Sequence, residues 1–272
     1  MLEKLNLRTV TRIEVDRESR FKYLFLAFGV AIRGFRYMRK VVRIDGTFLK
    51  GQYRGILLVA MAQDGNGQCY PLAWGIVDSE NKDAWTWFLT QLKEVIGDTD
   101  KLALISDRAP SIKKAISTVF EKAHHGACAW HVAQNIKNKF KCADIMGSYW
   151  SAVNAYKCED FVGYMTEISH RYPRVAEYLE NKVGFEKWSR CHYPGLRYNI
   201  TMTNMVESLN SMLVNARDFP YVALLDLNLV TYHVKGGELE GVVDIFNKTY
   251  TCKEFDIDKL PCVHAIAAAH HA

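Results

Sequence analysis

The 272-residue chain contains no apolar run long enough to span a membrane as a helix. Its first twelve residues, M-L-E-K-L-N-L-R-T-V-T-R, have no continuous apolar core, so they do not form a secretory signal. No internal repeat and no low-complexity tract interrupts it, which excludes solenoid and disordered classes. Its seven cysteines are odd in number and scattered, and no secretion signal accompanies them. That pattern excludes a disulfide scaffold and fits a reducing compartment.

What is present fits a globular protein. Hydrophobic residues make up 49% and charged residues 24%, and 6 Trp and 14 Tyr argue against disorder. The length allows one large domain or two modest ones. A net charge of +5 is mildly basic and compatible with a nucleic-acid partner.

One stretch, V-V-R-I-D-G-T-F-L-K-G (41–51), organises the chain. Val41, Val42 and Ile44 are β-branched and lead into Asp45, and Phe48 and Leu49 extend the strand. An aspartate in a buried strand is costly unless it is paired or holds a metal. The other reading is a strand-end aspartate turning before glycine.

Before this stretch, Val10, Ile13 and Val15 alternate with polar residues and predict a strand. Phe21 to Phe35 is apolar and aromatic, and a helix is expected there. Arg33, Arg36, Arg39, Lys40 and Arg43 form a basic cluster, read as a solvated face or a phosphate contact. After it come Gly55–Gln63 and Cys69–Val77, separated by the turn signal D-G-N-G. These three runs predict an antiparallel meander covered on both faces. Trp85, Phe88, Leu89, Leu92 and Ile96 predict a helix that starts near Asn81 and stops at Gly97. K-L-A-L-I-S then predicts a strand ending at Asp107. Helices are expected over 110–120 and 131–140, with a short strand over 124–130 between them.

The order β-β-β-α-β-α-β-α over 41–140 is that of an α/β, ribonuclease H-like mixed sheet. In that sheet the fourth strand lies beside the first, which would set Asp45 next to Asp107. Residues 141–200 show helical spacing of aromatics and predict an all-helical insertion. Residues 201–220 predict a helix completing the core, carrying Glu207. Residues 1–40 form an N-terminal strand and helix extension. Residues 221–247 form a short connection, with a strand before and after the K-G-G-E turn, and 248–272 a small tail.

Asp45, Asp107 and Glu207 are the acids this arrangement singles out. Phosphoryl transfer on a nucleic-acid backbone uses two Mg²⁺ ions held by hard oxygen donors, and converging carboxylates supply them. Any one of the three alone is ordinary.

The motifs I-D-G-T-F-L-K-G, Y-P-L-A-W-G-I-V-D-S-E-N, I-S-D-R, C-A-W-H and T-N-M-V-E-S-L-N-S together resemble the catalytic domain of plant Mutator-like element (MULE) transposases. The resemblance implies a D-D-E triad of Asp45, Asp107 and Glu207 binding Mg²⁺ or Mn²⁺. It implies DNA strand cleavage and transfer in the nucleus. The expected partners are DNA and a second copy of the chain in a homodimer, with no membrane and no small-molecule substrate. A domesticated relative that binds DNA and regulates transcription without catalysis is the alternative, as is an inactive relic. Cys128 and His131 match the family's C-x-x-H. They read either as a packed cysteine with a polar histidine beside the site or as half of a zinc site, and a role in orienting DNA or as a catalytic acid stays open.

The tail resembles a SWIM-type zinc finger, C-x-C…C-x-H. Cys252, Cys262 and His264 match the last three positions, and Tyr250 stands at the first. Three ligands leave a structural Zn²⁺ site incomplete unless His270, His271 or water closes it, and Tyr250→Cys is expected to complete the set. The family usually has a DNA-binding segment before the catalytic one and a longer stretch after the E-S-L-N helix. The forty or so residues ahead of Asp45 and the short 221–247 stretch depart from that.

Overall fold

A computed structural model of the chain describes residues 8–49 and 54–203 in full, and 231–236, 239–244 and 249–250 as backbone. These fall into two units, one carrying the residues up to 203 apart from Leu49 and Arg54, the other the later strands.

The first unit is built on a seven-stranded mixed sheet. Its strands are β1 (Val10–Val15), β2 (Phe21–Ala27), β3 (Arg39–Leu49), β4 (Gly55–Gln63), β5 (Cys69–Val77), β6 (Ala103–Ser106) and β7 (His124–Ala127). They lie in the order β1-β2-β5-β4-β3-β6-β7. The crossover from β5 carries the chain past β4 and β3, so β6 docks beside β3. β6 runs parallel to β3, and β7 runs parallel to β6. All nine residues of β4 are buried, as a strand covered on both faces requires.

Helices α2 (Lys82–Ile96) and α3 (Pro110–Val119) cover one face. Trp85, Phe88, Leu89 and Ile112 pack there with Val42, Ile44, Leu58 and Leu104. The N-terminus of α2 is fixed by Asn81, whose side-chain oxygen accepts the N–H groups of Asp83 and Ala84 at 2.9 Å. Its end is set by Gly97, at φ +79°. On the other face Val41, Ala103 and Ile105 meet Cys128, Tyr193 and Ile200.

Two expectations fail in the N-terminal region. Phe21 to Phe35 is not one helix. It is strand β2 followed by the six-residue helix α1 (Gly29–Gly34). β2 is hydrogen-bonded on both sides, to β1 and β5, and its inner residues are buried on both faces. Two-sided burial erases the polar alternation that marks a strand, so the run reads as a helix. The basic cluster is also not simply a solvated face. Arg43 is only 3% exposed and donates to Gln63 Oε1 at 2.9 Å.

Beyond β7 the chain turns helical through α4 (Ala129–Phe140), α5 (Met146–Asn154), α6 (Cys158–Arg171), α7 (Pro173–Glu177), a π turn over Tyr178–Val183 and α8 (Phe185–Trp188). Their core centres on Tyr149, Phe161, Leu179 and Trp188, with the Tyr149 and Trp188 rings stacked at 5.3 Å. Residues 201–203 are not helical, and the rest of the helix expected over 201–217 lies outside the described residues. In the second unit β8 (Thr231–Gly236), β9 (Leu239–Asp244) and β10 (Thr249–Tyr250) form an antiparallel sheet, β9 in the centre.

His125 on β7 gives the fold a pH dependence. The Ser106 hydroxyl donates to the Asp107 carbonyl at 2.7 Å, so the 2.9 Å contact of its oxygen with His125 Nε2 needs the proton on the ring. Burial, with Lys187, Lys113 and Arg197 adding repulsion, pushes His125 down to about 4. The unfolded chain binds a proton near 6.5 that the folded chain refuses. Stability from this group is therefore full above pH 6.5 and is lost as pH falls toward 4. Denaturant unfolding at pH 7.5 and pH 5 should show a loss of about 1–2 kcal/mol that His125→Gln lacks. An equal loss in the variant would contradict this assignment.

Candidate functional site

The site is set by strand register. Val41 pairs with Ala103 and Arg43 with Ile105, while Ala103 pairs with His124 and Ile105 with Gly126. Counting two residues on, Asp45, inside β3, stands level with Asp107 and Cys128, which directly follow the last residues of β6 and β7. Strand alternation puts all three on the face that carries Val41, Ala103 and Ile105. Ligands and reactive groups gather at such strand ends in open α/β sheets.

Local bonds hold each acid. One Asp45 carboxylate oxygen accepts its neighbour Gly46 N–H at 2.9 Å. One Asp107 oxygen accepts the Ala109 N–H at 3.0 Å, tightening the turn into α3. Both residues are half-buried. Gly46 permits a close approach: a Cβ there would lie 3.3 Å from Leu58 and 3.4 Å from Ile56 and the Trp85 ring.

That ring brings in an acid the sequence reading passed over. The Trp85 indole N–H donates to Glu80 at 3.3 Å. The residue is exposed overall, but its carboxyl is turned into the atoms around Trp85. Burial there pushes the Glu80 carboxyl up, the Trp85 bond opposes this, and the charge on Asp107 adds to it. Glu80 therefore belongs to the surroundings of Asp107. The signal was the motif D-S-E-N directly after β5, read only as a helix start.

Cys128 caps α4, and His131 follows within its first turn. The sulfur is fully buried and accepts both the backbone N–H and the hydroxyl of Thr203 at 3.3 Å. Burial pushes the thiol up, but hydrogen bonds from His131 and Thr203 outweigh it and leave Cys128 below its usual range. His131 is raised, first by its bond to Cys128, with burial opposing and the charges of Cys128, Asp45 and Asp107 adding. The thiol and both carboxylates thus favour the protonated form of this imidazole. Its ring meets Trp130 edge-on at 5.0 Å, and Trp130 is partly exposed.

A polar cleft lies along α4. It is lined by Arg108, Asn135, Asn138, Lys139 and Tyr178. His131, Asn135 and Asn138 recur at helical spacing along one face of α4. Arg108 hydrogen-bonds the Tyr178 hydroxyl and donates to the Lys182 carbonyl at 3.1 Å.

The chain returns to the site through Arg197, which is 2% exposed. Its guanidinium donates to the carbonyls of Ile200 (3.0 Å), Lys187 (2.8 Å), Ala127 (2.9 Å) and Thr201 (3.1 Å). Burial lowers it to about 10, still charged at neutral pH. This clamp lays 197–203 against β7. Glu207, Cys252, Cys262 and His264 lie outside the described residues, so the structure brings together only Asp45, Asp107, Cys128 and His131 of the expected site residues.

With that geometry in hand, the comparisons define the class. Residues 41–135 match the family model of the MULE transposase domain, and residues 239–272 match that of the SWIM zinc finger. The chain thus matches the MULE transposase model in one segment and the SWIM zinc finger model in a later one. It is similar to "Protein FAR1-RELATED SEQUENCE 6" of Arabidopsis thaliana, 22% identical over 127 residues, which is 47% of this chain and 18% of that protein. The chain thus spans less than a fifth of that relative's length. Among solved structures it is similar to the catalytic domain of Mos1 mariner transposase, at 14% identity over 57% of this chain and 88% of that one, with a TM-score of 0.26. No helix among the described residues is long and apolar enough to cross a membrane.

The pairing of Cys128 with His131 has a direct readout. Following the imidazole by NMR, Cys128→Ser should lower the His131 titration midpoint, and Asp107→Asn should lower it by less. A midpoint unmoved by Cys128→Ser would contradict the pairing.

Proposed function

We propose that the chain is the ribonuclease H-like core of a MULE-type DNA transposase, cutting and rejoining DNA in the nucleus through Asp45, Asp107 and Glu207. The observation that carries this reading is the level placement of Asp45 and Asp107 on adjacent parallel strands. Spatial order β5-β4-β3-β6-β7, with β3 and β6 parallel, supports the ribonuclease H-like assignment. Glu207 is four residues past Thr203, which is bonded to Cys128.

The donor set fits a hard divalent cation. Asp45 and Asp107 offer half-buried carboxylates side by side, Glu80 stands within range of Asp107, and carboxylate oxygens suit Mg²⁺ or Mn²⁺. When bound, such ions supply charge neutralisation at the scissile phosphate and ease ionisation of the attacking water. Asp45 and Asp107 would hold them, with Glu207 as third ligand. His131, whose proton affinity Cys128 and the acids raise, would donate a hydrogen bond to a phosphate oxygen. Arg108 and Lys139 would take the backbone along the cleft without reading sequence, and exposed Trp130 offers a ring for an unstacked base. The reaction so proposed is attack of water on a phosphodiester, releasing a 3′-hydroxyl, followed by attack of that hydroxyl on a target-strand phosphodiester, which forms the new P–O bond and releases the target's own 3′-hydroxyl.

A second reading keeps DNA binding without catalysis, as in a domesticated regulator. Tyr250 at the first SWIM ligand position favours it, because an incomplete zinc finger marks relaxed demand on the transposase apparatus. One experiment separates the two. Plasmid nicking with Mn²⁺ by the full chain should be abolished in Asp107→Ala while DNA retention in a gel shift persists. Equal nicking by both proteins would overturn the catalytic reading.

A further inference from the structure

A second constellation of metal-binding groups lies in the helical part of the chain, away from the acids. Cys158 is the first residue of α6, and Cys191 and His192 lie in the segment after α8. Their ligand atoms all fall within 4.8 Å of one another. Cys191 Sγ is 3.1 Å from His192 Nδ1, and the Ser189 hydroxyl is 3.0 Å from the same nitrogen. Cys158 Sγ reaches the Cys191 carbonyl at 3.8 Å. The imidazole is held edge-on by Phe161 at 4.5 Å and flanked by Phe185 at 5.8 Å. Phe161 is one turn along α6 from Cys158, so the same helix supplies one sulfur and the wall that orients the ring. Cys158 itself is exposed, which leaves one side open to solvent.

We propose that Cys158, Cys191 and His192 form a zinc site, with water or the Ser189 hydroxyl in the fourth position. Two sulfurs and one imidazole are soft and borderline donors, which select Zn²⁺ over Mg²⁺ or Ca²⁺. Tetrahedral zinc needs bonds of about 2.3 Å to sulfur and about 2.0–2.1 Å to nitrogen. Donors already gathered within 4.8 Å reach such a sphere by side-chain rotation. The donors are separated by 33 residues in sequence, so no local motif announces them. This site uses none of Cys252, Cys262 or His264 and does not depend on the catalytic reading.

Its consequence is mechanical. The segment holding Cys191 and His192 continues into Tyr193, whose hydroxyl donates to the His124 carbonyl at 2.9 Å, and into the Arg197 clamp. Zinc would pin the start of that segment to α6, as the clamp pins its end to β7. The approach of the chain to Thr203 and Cys128 would be fixed at both ends.

The test is a Co²⁺ titration of the full-length chain carrying Cys252→Ser and Cys262→Ser, kept reduced, which removes the tail donors. One equivalent should give thiolate-to-cobalt absorption with the visible bands of tetrahedral cobalt, displaced by Zn²⁺. Adding Cys158→Ser, or separately His192→Gln, should abolish the absorption while far-ultraviolet circular dichroism stays unchanged. Zn²⁺ should raise the melting temperature of the tail variant and not that of the Cys158→Ser form. Absence of thiolate-to-cobalt absorption in the tail variant, or absorption that survives Cys158→Ser, would overturn the proposal.

Discussion

The parallel pairing of β3 with β6 is the constraint on which the site depends. A one-residue slip would send Asp107 to the opposite face from Asp45 and bury a carboxylate among Val42, Ile44 and Leu104. The register is held by burial on both faces: Val42, Ile44 and Leu104 against α2 and α3, and Val41, Ala103 and Ile105 against Cys128, Tyr193 and Ile200. Two acids at the same level are an electrostatic liability. They are tolerable because both residues are only half-buried, and because their charges and Cys128 favour the protonated form of His131.

A second tie brings distant sequence to this edge. Arg197 spends its charge on four carbonyls rather than on a carboxylate, joining β7, the end of α8 and the 200–201 backbone. Burying a guanidinium is favourable only when its donors are satisfied, so the clamp forms complete or not at all. Thr203 then closes on Cys128. The helical part of the chain thus delivers a strand-edge segment, although its own core around Tyr149 and Trp188 is separate from the sheet core.

Much of this was legible in the sequence, for identifiable reasons. The strand holding Asp45 stands out because an acid interrupts β-branched residues. The D-G-N-G turn and the Asn81 cap mark boundaries that the backbone geometry demands. The adjacency of β3 and β6 follows from element order alone. Other features were hidden. β2 is buried on both faces, which leaves no alternation to read. Arg43 looked like one more surface cation, and only the fold shows it buried against Gln63. Glu80 was masked by its role near a helix start, and only the fold brings its carboxyl within reach of the Asp107 charge. Cys158 and Cys191 meet only after α6, α7 and α8 have folded.

Iron-directed backbone cleavage tests most directly whether these carboxylates gather a divalent cation. Fe²⁺ bound in place of Mg²⁺ generates hydroxyl radicals that cut the chain near its ligands. With ascorbate and peroxide, the folded chain should be cut near residues 45 and 107 and in the stretch containing Glu207. Excess Mg²⁺ should suppress all three cuts, and Asp45→Asn should remove them together. Cuts confined to the cysteine-bearing regions, or cuts at the acids that Mg²⁺ leaves unchanged, would contradict a carboxylate metal site.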